Sequence, residues 1–210
     1  NITAQVTGIK NIPGDYATLA AAITDLNTNG VGVGGATINI NANQTAVSPG
    51  YNIGSTALYN TLSATNPLII NGNGNSISGY TGTKAGSVTT ATNDAILVLT
   101  GVDFVTVKRI NFLDLAANTT TTTCMDNAIG IYNAGTAAGS ANGCQNILID
   151  SCVFNLKNQS TSSSGVFIGA FVYASGTASS WNPFGTTPSD MHRLITVSNC
   201  NFNEIYNGII

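Results

Sequence analysis

An eight-residue phrase occurs three times in the second half of this chain, and it limits the fold more than any other feature. It reads Val105-Thr-Val-Lys-Arg-Ile-Asn-Phe112, then Ile147-Leu-Ile-Asp-Ser-Cys-Val-Phe154, then Ile195-Thr-Val-Ser-Asn-Cys-Asn-Phe202. Apolar residues take the first, third, sixth and eighth places: Val105, Val107, Ile110, Phe112; Ile147, Ile149, Cys152, Phe154; Ile195, Val197, Cys200, Phe202. A step of two marks a strand with one buried face, and the three-residue step in the middle reverses which parity is buried. The chain must therefore turn a corner and keep pointing inward. Two short strands joined by a bend, recurring after 42 and then 48 residues (positions 105, 147 and 195), predict coils of a solenoid, because one such unit cannot bury its apolar face alone. Stacking of the copies puts Phe112, Phe154 and Phe202 in one ladder and Ile110, Cys152 and Cys200 in a neighbouring one. A β-sandwich of short strands and turns is the alternative if those rings lie apart.

At 210 residues, such a solenoid is a single elongated domain. Only 7% of residues are charged and mean hydropathy is +0.20, yet no apolar run approaches the roughly 18 residues of a membrane helix, so no membrane insertion is expected. Asn, Thr, Ser and Gly take the surface positions instead, which suits stacked turns, since Asn and Gly accept left-handed backbone angles. A net charge of −3 argues against nucleic acid as a partner. The four cysteines, few charges and many hydroxyls fit an extracellular protein.

Residues 1–35 are expected to form an N-terminal strand and a capping helix, and residues 36–210 the coils. In the first unit Asp15 is the expected N-cap, with Leu19, Ala22, Ile23 and Leu26 on one helical face and Asn29-Gly30 as the stop. A helix ahead of β-rich coils would cover the first open edge; an ordinary packed helix of an α+β fold is the alternative. Then Ala36–Ile40 and Leu68–Ile70 read as strands, and Asn71-Gly-Asn-Gly-Asn75 as a tight corner. Asp94-Ala95-Ile96, Asn127-Ala128-Ile129 and Asn207-Gly208-Ile209 recur as the remaining coil sides. Insertions follow the phrase at 116–125 and 157–164, and precede it at 134–146 and 174–192. Each kind should gather on one edge of the solenoid, where recognition would occur.

The order Gly14-Asp-Tyr-Ala-Thr-Leu-Ala-Ala-Ala-Ile23, Ala36-Thr-Ile-Asn-Ile40, Asn66-Pro-Leu-Ile-Ile-Asn-Gly-Asn-Gly74 resembles the pectin-lyase-like right-handed parallel β-helices of large secreted surface proteins of Bacteroidota, typically exported by the type IX system. The resemblance runs from about Lys10 to Ile210. It implies an all-β, right-handed parallel β-helix with an N-terminal capping helix, in a cell-surface setting. It says little of activity, because this architecture carries lyases, hydrolases, adhesins and fibres alike.

The enzymatic relatives cut acidic polysaccharides with clustered carboxylates, either as an acid/base pair or as calcium ligands beside a basic residue. This chain has eight Asp and one Glu, nowhere adjacent, and lacks the Gly-His-Gly and Arg-x-Lys of polygalacturonases. Its one histidine, His192, reads as a solvated side chain at a loop end. Lys108 and Arg109 form the only adjacent basic pair, at the bend of the first phrase, with Asp150 one coil away. That reads as a surface ion pair before it reads as a calcium-dependent site. Trp181, Pro183 and Phe184 either cover the flank of the solenoid or, if exposed, offer a stacking platform for glycan or a protein partner. Cys124 and Cys144 are expected to form a disulfide, and Cys152 and Cys200 to stack as free thiols. No cofactor is implied. The leading expectation is a non-catalytic structural or adhesive segment of a secreted cell-surface protein, contacting other segments of that protein or other surface chains. The alternative is a polysaccharide lyase, glycoside hydrolase or carbohydrate-binding module. The apolar cross-section containing Ile195 to Phe202 is expected to be covered by further coils, a cap or another chain.

Overall fold

The computed structural model describes residues 4–82, 94–134, 142–156, 163–174, 177–181 and 191–209, without the side chains of 169–174 and 177–181. The chain begins with β1 (Val6–Ile12), α1 (Leu19–Asn29), β2 (Val31–Ile40), β3 (Gln44–Thr45), β4 (Tyr51–Ile53) and a short α2 (Thr56–Thr61). It continues through β5 (Leu68–Asn71), β6 (Ser76–Ser78), β7 (Ala95–Thr100), β8 (Val105–Lys108), β9 (Asn111–Leu113) and β10 (Asn127–Asn133). The last elements are β11 (Gln145–Asp150), β12 (Val153–Asn155), β13 (Ser164–Ala174), β14 (Thr177–Trp181), β15 (Arg193–Ser198), β16 (Asn201–Asn203) and β17 (Asn207–Ile209).

These strands make three parallel sheets, which the chain visits in a fixed order. The first sheet runs β1-β2-β5-β8-β11-β15, the second β3-β6-β9-β12-β16, and the third β4-β7-β10-β13-β17. Only β14 departs, pairing antiparallel with β13. This mostly-β path is compatible with a parallel β-helix, each pass forming one rung. The repeated phrase is the first-sheet strand, a bend and the second-sheet strand, in the expected register: Ile149 pairs with Val107 and Val197, and Phe154 with Phe112 and Phe202. The three rings stack, at 5.5 Å and 8° between Phe112 and Phe154 and at 4.9 Å and 22° between Phe154 and Phe202.

Two left-handed corners explain how the parity reverses. The bend residues Arg109, Ser151 and Asn199 have φ of 54°, 54° and 52°, and on the other side of the first sheet Phe104, Asn146 and Leu194 have φ of 54°, 55° and 52°. One left-handed residue swings the chain through a corner while the ladder continues: the amides of Arg109 and Ser151 donate to the carbonyls of Asp150 and Ser198 on the next rung, each at 3.0 Å.

The N-terminal unit differs from expectation in two details. The N-cap of α1 is Thr18, whose Oγ1 accepts from the Ala21 amide at 3.2 Å, and not Asp15, whose carboxylate accepts the Asn11 amide at 2.8 Å in the preceding turn. The buried face is the expected Leu19, Ala22, Ile23 and Leu26, packed against β1, β2, β4 and α2, and Gly30 ends the helix at φ 72°. The strand expected from Ala36 begins five residues earlier, at Val31, so the glycine-rich stretch is the start of β2. There Gly35, at φ 83°, comes so close to the next rung that a Cβ would lie 2.5 Å from the Pro67 carbonyl oxygen.

Candidate functional site

The bend after the first-sheet strands gathers the polar side chains singled out in the sequence. Register places Asn11, Asn39, Asn71, Lys108, Asp150 and Ser198 in one outward column. The amides of this column bond along the stack, Asn71 Nδ2 to Asn39 Oδ1 at 3.0 Å and Asn39 Nδ2 to Asn11 Oδ1 at 3.4 Å, while beside it Asn73 Nδ2 donates to Asn41 Oδ1 at 2.8 Å. Further along, Asp150 accepts from Ser198 Oγ at 2.7 Å, Asn199 Nδ2 at 2.8 Å and Ser151 Oγ at 2.9 Å. Those hydrogen bonds hold its carboxyl below the usual carboxylate range, and the neighbouring Lys108 charge adds a smaller lowering. Arg109 is exposed at the bend. Lys108 is thus brought to one carboxylate, already engaged by three donors. Among the described residues no three His, Cys, Asp or Glu side chains are grouped to hold a metal ion.

The cysteines do not pair as expected. Cys124 and Cys144 form no disulfide, and the reason is geometric. They flank β10, whose seven residues at about 3.3 Å each hold them roughly 20 Å apart, far beyond the reach of about 7 Å that a disulfide allows. The Cys124 thiol donates to the Asn118 carbonyl at 3.3 Å, while that of Cys144 lies 3.5 Å from the Tyr132 carbonyl and 3.6 Å from that of Leu99. Cys152 and Cys200 are free on adjacent rungs. Burial pushes the Cys144 and Cys152 thiols up to about 12 and raises that of Cys200 too.

His192 is bound into a corner: its Nδ1 accepts the Cys144 amide at 3.0 Å. One rung earlier Asp103 accepts the Gln145 amide at 2.7 Å, and burial raises its carboxyl. Both side chains fasten the turn from the third sheet into the first. Trp181 ends β14, where its backbone pairs with Phe171, and Phe184 lies outside the described residues.

Two features escaped the sequence reading. Asp94 and Asp126 are buried, at 2% and 0% exposure, on adjacent rungs immediately before β7 and β10. The expected alignment of Asp94 with Asn127 is off by one residue, because Ala95 pairs with Asn127. Asn127 does share its column with Asn207, through Ser164. The second feature is Asp114, which organises the loop between β9 and β10 by accepting from the Leu115 amide at 2.8 Å, Asn118 Nδ2 at 2.6 Å and the Met125 amide at 2.9 Å. No family model, curated protein or solved structure matches this chain.

Proposed function

We propose that this chain is a right-handed parallel β-helix whose first coil is covered by α1, and that it is a non-catalytic structural or adhesive segment of a secreted cell-surface protein. The handedness follows from the strong preference of parallel crossovers. The observation that carries the functional reading is the use made of the polar bend. Where a polysaccharide-cleaving enzyme needs free carboxylates and a free base, Asn11, Asn39 and Asn71 bond to one another along the stack, and the Asp150 carboxylate is taken by Ser198, Asn199 and Ser151. Their chemistry is spent on holding rungs together. Buried thiols with raised pKa values are poor nucleophiles, which suits a protein exposed to oxidants.

The test is to incubate the full chain with acidic polysaccharides, with and without calcium, and follow release of unsaturated or reducing ends, while Lys108→Ala and Asp150→Ala are melted alongside. The reading expects no turnover and a lower Tm for Asp150→Ala. Turnover that disappears in Lys108→Ala would overturn it.

A further inference from the structure

The corner that leads from the third sheet into the first is closed by different side chains on successive rungs. Gln145 pairs with both Asp103 and Arg193, so Val102, Cys144 and His192 fall in one column, as do Gly101, Gly143 and Met191. Val102 and Cys144 are fully buried, and His192 takes the same position half-buried. The rungs approach closely here: a Cβ on Gly143 would lie 2.3 Å from the Met191 carbonyl carbon. The Arg193 amide donates to the Cys144 carbonyl at 3.1 Å and continues the ladder.

The two amides of this corner, however, donate to side chains that titrate. The Gln145 amide donates to Asp103 Oδ1 at 2.7 Å, and the Cys144 amide to His192 Nδ1 at 3.0 Å. These two clamps respond differently to acid. A carboxyl keeps an acceptor oxygen when it takes a proton, so Asp103 can hold Gln145 in either state. An imidazole has one acceptor nitrogen and loses it on protonation, because both ring nitrogens then donate. A backbone N–H can only donate, so the bond to Cys144 requires neutral His192 with its proton on Nε2. The charged ring would face the Cys144 N–H with an N–H of its own.

We propose that His192 is an acid-released latch. Neutral, it fastens the start of β15 to the rung beneath; charged, it leaves the Cys144 amide without that acceptor, and the Met191–His192 corner lifts from Gly143. Histidine is the side chain whose ordinary charge change falls between about pH 5 and about pH 8, so acidification is the input. The groups that face this corner are Cys144 itself, Tyr59 of α2, Asp103 and Arg193. Burial pushes Cys144 and Tyr59 up to about 12, so neither changes charge in that range. Asp103, its carboxyl raised by burial, can begin to take a proton at the acidic end and still accept from Gln145. Arg193 carries a fixed charge. Asp190, two residues before His192, lies outside the described residues. The sign follows: the bond is present where His192 is neutral and is lost as pH falls and the ring charges.

Native-state hydrogen exchange of the full chain tests the latch, read by NMR as protection factors so that the intrinsic pH dependence of exchange is removed. Two amides held by backbone carbonyls serve as references: Phe104, bonded to Gln145 at 3.0 Å, and Asn201, bonded to Cys152 at 2.9 Å. From about pH 8 to about pH 5, Cys144 protection should fall at least about tenfold relative to both. His192→Asn, which keeps an acceptor near the Nδ1 position and cannot charge, should hold Cys144 protected with no such fall. His192→Ala should leave it weakly protected at every pH. A wild-type ratio that stays constant would overturn the proposal. So would the same fall in His192→Asn, which would assign it to Asp103 or Asp190, and so would a parallel fall at Asn201, which would mean that the whole rung loosens. The ring nitrogen chemical shifts of the wild type need no variant: at neutral pH Nδ1 must be the unprotonated nitrogen, and a proton found there would refute the bond itself.

Discussion

Replacing Phe154 by alanine should show most clearly how stability is distributed along the stack. The ring is fully buried between Phe112 at 5.5 Å and Phe202 at 4.9 Å, both in stacked geometry. A buried Phe→Ala change costs about 3 to 5 kcal/mol, and each stacked pair is worth roughly 0.5 to 1.5 kcal/mol beyond its area. With two partners lost and flat neighbouring rungs that cannot collapse into the hole, Phe154→Ala belongs near the upper end, at about 4 to 5 kcal/mol. Phe202 has one of these ring partners and a half-exposed side chain, so Phe202→Ala should cost about half as much. Urea unfolding followed by circular dichroism measures both, with the slope checked for constancy, because coil stacks can lose cooperativity. If the two variants cost the same, Phe202 is as enclosed as Phe154 and the last rung is not open. If Phe154→Ala costs less than about 1 kcal/mol, the aromatic ladder is not the core and the stacking argument fails.

Four further outcomes follow from the same geometry. Asp150 has a folded pKa below its unfolded value, so its contribution is present above the unfolded value and is lost as pH falls through the folded one; the Tm deficit of Asp150→Asn should shrink as pH drops through that window. Asp103 has the opposite sign, its contribution being full below the unfolded value and lost as pH rises through the raised one, so Asp103→Asn, which keeps an acceptor for Gln145, should gain in Tm relative to wild type across that rise. Native-state alkylation at neutral pH should leave Cys144 and Cys152 unmodified in mass spectra, and rapid labelling of either would contradict their burial. Asp114→Ala leaves the buried Asn118 amide and two backbone amides short of an acceptor, and should cost about 1 to 3 kcal/mol in the same urea assay, with faster exchange at Met125.

Legibility in the sequence followed the strength of the apolar pattern. The phrase at 105, 147 and 195 alternates with a single three-residue step, and that pattern allows one register, so the Phe and Cys columns were readable in advance. The third sheet was not, because β7 and β10 are buried on both faces and read as continuous apolar runs with no parity to fix the register. Hence the one-residue slip at Asp94. At Asp15 two acceptor side chains competed for the helix start, and the turn at Asn11 took the carboxylate, leaving Thr18 to cap. The disulfide expectation failed because spacing along the chain does not reveal that β10 stands extended between Cys124 and Cys144. Asp114 lacked any signal, since two of its three partners are backbone amides and the third, Asn118, lies in the same loop.

The stacking itself is tested most directly by one distance. Thr37 and Thr196 occupy the same outward column of the first sheet, linked through Ile69, Thr106 and Leu148. Four rung spacings of about 4.8 Å place them about 19 Å apart along the stack. Spin labels at these two positions, measured by pulsed electron double resonance, should give a single narrow distribution centred near that value, widened only by the label arms. A broad distribution, or one centred beyond about 30 Å, would mean that the first-sheet strands do not stack at the spacing of adjacent β-strands, and the account would be wrong at its root.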